Sequence, residues 1–295
     1  MEISGTIILD ESAEAFPVWV SRVIITGERE WAYHAAVAAT GFASSRIGCP
    51  CEAGIERELA PGETPDGRVG FSILICGEKK QMRQHVAARV SQCVLPVPTV
   101  SAFDGLPDAR DRFYLRMHYF GDGYEERCGV GNRACWKIPV MQGEYIGEER
   151  FGIVKGVAGG NFLVMGEDRS PALAAAKAGT AAIAGMQGVI TSFPGGVVAS
   201  GSKVGSRNYR FPMPASTSHA FCPVLKDRIP DSKVPDGIGS IFEIVINGID
   251  EPCVRAAMKT GILAATATGR ARYIGASDFG GKLGQYRISL HDLFR

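Results

Sequence analysis

Apolar runs alternate with Ala-rich, helix-spaced stretches along this chain, and the succession is written twice. Val23-Ile24-Ile25-Thr26-Gly27-Glu28 predicts a strand and a turn, Glu30 to Thr40 a helix, and Ser44 to Cys49 a second strand. The same order returns as Phe162-Leu163-Val164-Met165-Gly166-Glu167, an Ala-rich stretch opened by Ser170-Pro171, and a strand from Gly188 to Phe193. Ser170 reads as an N-cap, with proline where the first turn has no use for an N–H. A further pair of apolar runs, Phe71 to Gly77 and Phe242 to Gly248, each leads into another helical pattern. Met82, Val86, Val90 and Cys93 form a stripe at helical spacing in the first, and Val254, Met258, Ile262 and Ala265 in the second, which Asp250 caps ahead of Pro252. Stripes of that kind are core contacts. Closing strands at Phe113 to Phe120 and Gly284 to Leu290 complete β-α-β-β-α-β in each half, the split βαβ arrangement whose antiparallel sheet carries its helices on one face. The fold class expected is therefore α+β, in two duplicated lobes covering residues 1–148 and 149–295.

Composition adds mainly exclusions. A chain of 295 residues with 45% hydrophobic and 21% charged side chains has the balance of a soluble globular protein, and a long disordered chain is excluded. Basic and acidic side chains nearly cancel, 32 against 31, so neither nucleic acid nor an anionic membrane surface meets an electrostatic footprint. Met1-Glu2-Ile3-Ser4 lacks the features of a signal peptide, and no segment reaches the roughly 20 apolar residues of a membrane helix. A cytoplasmic protein whose eight cysteines are reduced thiols is expected. Their spacing makes no metal site, with one residue between Cys49 and Cys51 and six between Cys128 and Cys135, so they read as small buried hydrophobes.

Candidate chemistry is sparse. The run from Gly196 through Gly201 to Lys203 nearly spells a phosphate-binding loop, but the lysine comes one position late and Val204 stands where a hydroxyl should hold magnesium. Gly156, Gly159 and Gly160 lack the dinucleotide-binding spacing; they predict a tight turn with exposed amides, either structural or donating to an oxyanion or carboxylate. His219 and Cys222 are near in sequence, which is weak evidence for a nucleophile and base, and a loop histidine beside a packed thiol is the plainer reading. Glu243 differs from these. It interrupts Ile241-Phe242-Glu243-Ile244-Val245-Ile246, where the other copy has Ser72. A carboxyl group there costs free energy unless paired, and desolvation raises its pKa toward the range of proton transfer near neutrality. A salt bridge at the sheet surface or a subunit contact is the structural alternative.

Several runs resemble one family in order along the chain. Thr40-Gly41-Phe42, Cys49 to Ile55, Glu63 to Gly67, Phe120 to Tyr124, Gly156 to Phe162, Phe193 to Ser200, Ser202 to Ser206, Glu243 to Gly248 and Phe279 to Phe294 are similar to formylmethanofuran:tetrahydromethanopterin formyltransferases. The resemblance covers essentially the whole chain. It implies two ferredoxin-like lobes and a homo-oligomer, usually a tetramer, with no prosthetic group or metal. The activity it implies is reversible transfer of a formyl group between the amine of methanofuran and N5 of tetrahydromethanopterin, both coenzymes serving as substrates. The family glutamate thought to act at the formyl group falls on Glu243. Gly159, Gly160, Asn161, Ser200, Lys203, Ser206, Lys282 and Gln285 lie in matching runs and are the substrate-binding residues the resemblance suggests. Cys51 stands where alanine is usual, and the near-zero net charge is more like the relatives of methylotrophic bacteria, which use coenzyme variants and form a formyltransferase/hydrolase complex. A non-catalytic pterin-binding or scaffolding subunit is the rival reading. A scaffold needs the core stripes but not a costly carboxyl group in a strand.

Overall fold

Val23 to Thr26, from the first apolar run, forms the end of strand β1 (Ser12–Thr26) in the computed structural model, which describes residues 1–41, 49–278 and 284–295. Helix α1 (Arg29–Thr40) follows and buries only alanines, Ala32, Ala35, Ala36 and Ala39, whose helical spacing makes one narrow stripe. Strands β2 (Glu52–Leu59) and β3 (Gly70–Gly77), helix α2 (Met82–Arg89) and strand β4 (Ser101–Asp104) come next. β3 and β4 flank β1, and β2 pairs with the far side of β3, all antiparallel. Met82, Val86 and Val90 are buried with the α1 alanines against Ile73 and Ile75, so the predicted stripe is a core stripe. The hairpin β5 (Arg133–Val140) and β6 (Gly143–Glu148) continues this sheet beyond β4.

The second copy begins with β7 (Arg150–Gly166), followed by α3 (Arg169–Ile183), β8 (Val189–Ile190), β9 (Ser240–Gly248), α4 (Glu251–Ala267), β10 (Tyr273–Gly275) and β11 (Tyr286–Ser289). β7 lies between β9 and β10, antiparallel to both. Asp250 caps α4 as expected, its Oδ1 accepting from Cys253 N–H at 2.8 Å. α3 starts earlier than expected: Asp168 takes the cap position and Ser170 lies inside the first turn.

Other corrections concern the strands. The strand expected at Ser44–Cys49 falls mostly outside the described residues, and the strand observed in that part of the chain is β2. Neither half is closed by the strand read from the sequence. The sixth element is β4 in the first half and β10 in the second, reached by short returns from α2 and α4. Ala102, Phe103 and Ile274 on them are fully buried. The runs chosen from the sequence do other work. Asp111–Tyr114 pairs with Arg150–Ile153, Met117–Gly121 is a 3-10 turn, and β11 pairs with Ser12–Ala15. Apolar content alone did not distinguish the strand beside β1 or β7 from strands elsewhere.

The chain divides into two compact units, one of Met1–Pro17, Val157–Ala184 and Thr191–Arg295, the other of Val18–Gly156 and Gly185–Ile190. The first residues therefore belong with the unit built mainly from the C-terminal half. No helix among the described residues is long and apolar enough to cross a membrane.

Within the first of these units, register decides what each face carries. Phe162 pairs with Ile244 and Gly160 with Ile246, and this row meets the helices: a methyl group added at Gly261 of α4 would come within 2.9 Å of Phe162, and one at Gly179 of α3 within 3.2 Å of Ile244. At Gly160 a Cβ would lie 2.3 Å from Val254 of α4. Gly160→Ala is expected to destabilise the protein by about 1–3 kcal/mol through overpacking, measured as a lowered chemical-denaturation midpoint with unchanged slope.

Candidate active site

Because side chains alternate across a strand, the residues between those rows, Asn161, Leu163, Glu243 and Val245, occupy the face away from the helices. Glu243 is fixed from both sides. It is paired with Leu163 of β7, and on its other flank it exchanges backbone hydrogen bonds with Val198, at 2.8 and 3.0 Å. The long connection after β8 covers this face, where Leu163 and Met165 pack with Val234, Ile238, Phe221 and Ile241. Its Gly, Ser and Pro content thus serves to roof the sheet.

Under that roof a cleft of about 180 Å³ opens, with Leu163, Val198, Phe221 and Ile241 as its apolar wall. Glu243 enters it, half-buried, and its carboxyl has no hydrogen bond or ion pair among the described residues. Burial without a compensating partner pushes its pKa up to about 7. Glu11 shows the contrast. Burial raises its pKa too, but it accepts from Ala276 N–H at 2.8 Å and braces backbone. In the other copy Ser72 replaces Glu243; it is buried, its hydroxyl donates to the Arg57 carbonyl at 3.4 Å, and every residue of β3 is buried with it. Of the two apolar strands that lead into α2 and α4, only β9 carries this carboxyl.

Of the other residues proposed from the sequence, Ser200 lines the same cleft, exposed. Lys203 is engaged locally, its ammonium donating to Ser216 Oγ at 2.7 Å and to the Thr217 carbonyl at 2.8 Å. Ser206 Oγ accepts from the amides of Asn208 and Tyr209, at 3.2 and 3.0 Å, and shapes a turn. Gln285 is exposed, and Lys282 lies outside the described residues. The exposed-amide turn expected at Gly159 and Gly160 is instead part of the continuous strand β7, interrupted by a bulge. Gly159 adopts φ +88°, which suits glycine, and its N–H donates to Asn247 Oδ1 at 3.0 Å, so that amide is not free for a ligand. Asn161 is buried and bonds to backbone on either side.

His219 Nε2 faces Asp231 and Arg207, each at 3.2 Å, and the hydrogen bond from His219 is the main reason the Asp231 carboxyl titrates below its usual range. Cys222 lines the cleft, its Sγ 3.5 Å from the Ser218 carbonyl, and is not hydrogen-bonded to His219 Nε2. Sequence reasoning missed Ser277, which also lines the cleft. It sits in Ala276-Ser277-Asp278, which has neither periodicity nor a motif to single it out.

An unpaired carboxyl that titrates near neutrality in an apolar cleft is the equipment of an enzyme that moves protons during group transfer. Two family models together span nearly the whole chain: the one described as formylmethanofuran-tetrahydromethanopterin formyltransferase matches residues 1–140, and the one described as FTR, proximal lobe, matches 143–293. The chain belongs to the formylmethanofuran–tetrahydromethanopterin formyltransferase family, as the resemblance in its motifs implied. The formyltransferase of Methanocaldococcus jannaschii is 51% identical and that of Archaeoglobus fulgidus 47%, each over the whole of both chains. Among solved structures, the formyltransferase from Methanosarcina barkeri superposes with a TM-score of 0.96 at 45% identity, covering both chains entirely. A chain of the formyltransferase/hydrolase complex from Methylorubrum extorquens, solved in complex with methylofuran, superposes at 0.94 with 38% identity, covering 100% of this chain and 99% of that one.

Proposed function

We propose that this protein transfers a formyl group reversibly between the amine nitrogen of methanofuran, or a bacterial analogue, and N5 of tetrahydromethanopterin, with Glu243 as the proton-transferring residue. The observation that carries the reading is the unpartnered Glu243 carboxyl, half-buried in the cleft, its pKa pushed up to about 7 by burial. Attack of N5 on the formyl carbon forms the new C–N bond and leaves an oxyanion; collapse breaks the bond to the alkylamine, which departs only with a proton. A neutral carboxylic acid supplies that proton and, as carboxylate, takes the one released from N5, so no net proton is consumed in either direction. The apolar wall excludes water from the intermediate and strengthens each polar contact made inside the cleft.

Contacts to the coenzymes are proposed at Ser200, Lys203, Ser206, Lys282 and Gln285. Gly159, Gly160 and Asn161 contribute by shaping β7. The strand orders and one-sided helices support reading both halves as ferredoxin-like lobes meeting near residue 148, and a homotetramer in the cytoplasm, alone or within a formyltransferase/hydrolase complex, is the expected assembly. Light scattering on the purified chain tests the assembly. The activity is tested by supplying the chain alone with formylmethanofuran and tetrahydromethanopterin, or with methylofuran and the bacterial pterin. Formyl-pterin formation with one pair is expected, and a chain that binds the pterin but turns over neither pair would be a scaffold.

A further inference from the structure

A tetrahedral oxyanion needs a hydrogen-bond donor fixed in place before the reaction. The Gly159 amide is spent on Asn247. Among the polar side chains of the cleft, Ser218 donates to the Ser202 carbonyl at 2.9 Å, Cys222 rests against the Ser218 carbonyl, and Ser200 is exposed, leaving its hydroxyl to rotate in water. Ser277 is different. It is only 8% exposed, lines the cleft with Glu243, and its hydroxyl has no hydrogen-bond partner among the described residues. Unlike Tyr145 Oη and Trp136 Nε1, which are buried without a partner, the Ser277 oxygen reaches the open space of the cleft, where a bound oxygen can accept from it.

The backbone beneath Ser277 is held by side chains. Asn161 Oδ1 accepts from Ser277 N–H at 2.8 Å, while Asn161 Nδ2 donates to the Ser277 carbonyl at 3.0 Å and to the Gly159 carbonyl at 3.1 Å. Reversing the amide would set donor against donor and acceptor against acceptor, so only one orientation fits. Asn161 is 3% exposed and pairs with Val245, two residues from Glu243 on the same face of the sheet. Glu11, accepting from Ala276 N–H, pins the preceding residue. Ser277 is thus mounted on buried groups in the cleft that Glu243 also lines, as a preorganised donor must be.

We propose that Ser277 is a second catalytic residue of this cleft, its hydroxyl donating to the formyl oxygen as that oxygen takes up negative charge, and that Asn161 is the positioning residue that keeps it there. The proposal rests on the formyl-transfer reading above. Ser277→Ala is expected to lower kcat by about 10²-fold with little change in KM or thermal midpoint, because the contact strengthens only in the transition state. Its kcat should still fall above about pH 7, since Glu243 is untouched. Asn161→Ala should lower kcat comparably, and adding Ser277→Ala to it should cost nothing more, because the displaced hydroxyl no longer contributes. A merely structural role would not give that non-additivity. Asn161→Asp keeps the acceptor for the Ser277 amide and loses the donor to its carbonyl, and carries the same test should Asn161→Ala not fold. Ser277→Ala turning over within twofold of an active wild type overturns the proposal alone. Multiplicative losses in the double variant overturn the part assigned to Asn161, whereas an inactive wild type overturns the formyl-transfer reading and this donor with it.

Discussion

Glu243→Gln is expected to reduce kcat by about 10²–10³-fold while leaving fold and assembly intact, because glutamine keeps the size and hydrogen-bonding capacity of the acid but cannot deliver a proton to the departing amine. The pH profile follows from the same group. The neutral form is the donor, and with a pKa of about 7 the wild-type kcat in the formylmethanofuran-consuming direction should be level below that value and fall above it. The glutamine variant should lose this limb. Wild-type stability should also fall as pH rises. In the unfolded chain the carboxyl titrates near 4.5 and in the folded chain near 7, so between those values the native state holds a proton that the unfolded state has released. Stability contributed by the neutral buried acid is complete below the lower value and is lost as pH rises through the upper one, a change of about 3 kcal/mol. Glu243→Gln escapes that loss. Its stability relative to wild type should therefore increase from pH 4.5 to pH 8, measured by chemical denaturation at both. Full turnover in the variant, or a stability difference independent of pH, would refute the assignment.

The largest effect on folding is expected at Glu56, in the other unit. This residue is 3% exposed and holds Arg22 through two hydrogen bonds, at 2.6 and 2.8 Å, while also accepting from the Gly188 amide. Glu56→Ala strands a guanidinium that is itself largely buried and should destabilise the protein by about 3–5 kcal/mol. Replacing both partners with apolar residues, Arg22→Met with Glu56→Leu, should recover most of that, because no charge is then left buried alone. Denaturant midpoints decide it. A loss below about 1 kcal/mol in the single variant would mean that the ion pair behaves like an exposed one.

How far the sequence reached differs by element. α1 and α4 were legible because their small and apolar residues recur at helical spacing, and Asp250 announced the start of α4. β3 and β9 were legible because both are mostly apolar runs before a helix. The closing strands were misplaced: β4 and β10 are only four and three residues long, too short for a pattern, while longer amphipathic runs nearby are paired elsewhere. Glu243 stood out because a charge in an apolar strand needs a reason. Ser277 did not, since an ordinary serine in a connection acquires its meaning only from Asn161, which lies 116 residues away along the chain.

By itself, then, the sequence determined the duplicated order of elements, the family and the carboxyl at which to look, because local periodicity and a charge set among apolar neighbours are written in adjacent letters. The tertiary structure decided which strands close the sheets, that the Gly159 amide is already spent, and that Glu243 faces away from the helices into a cleft. These depend on strand register and on contacts between distant residues, and a shift of one residue would have turned the same carboxyl toward the helices.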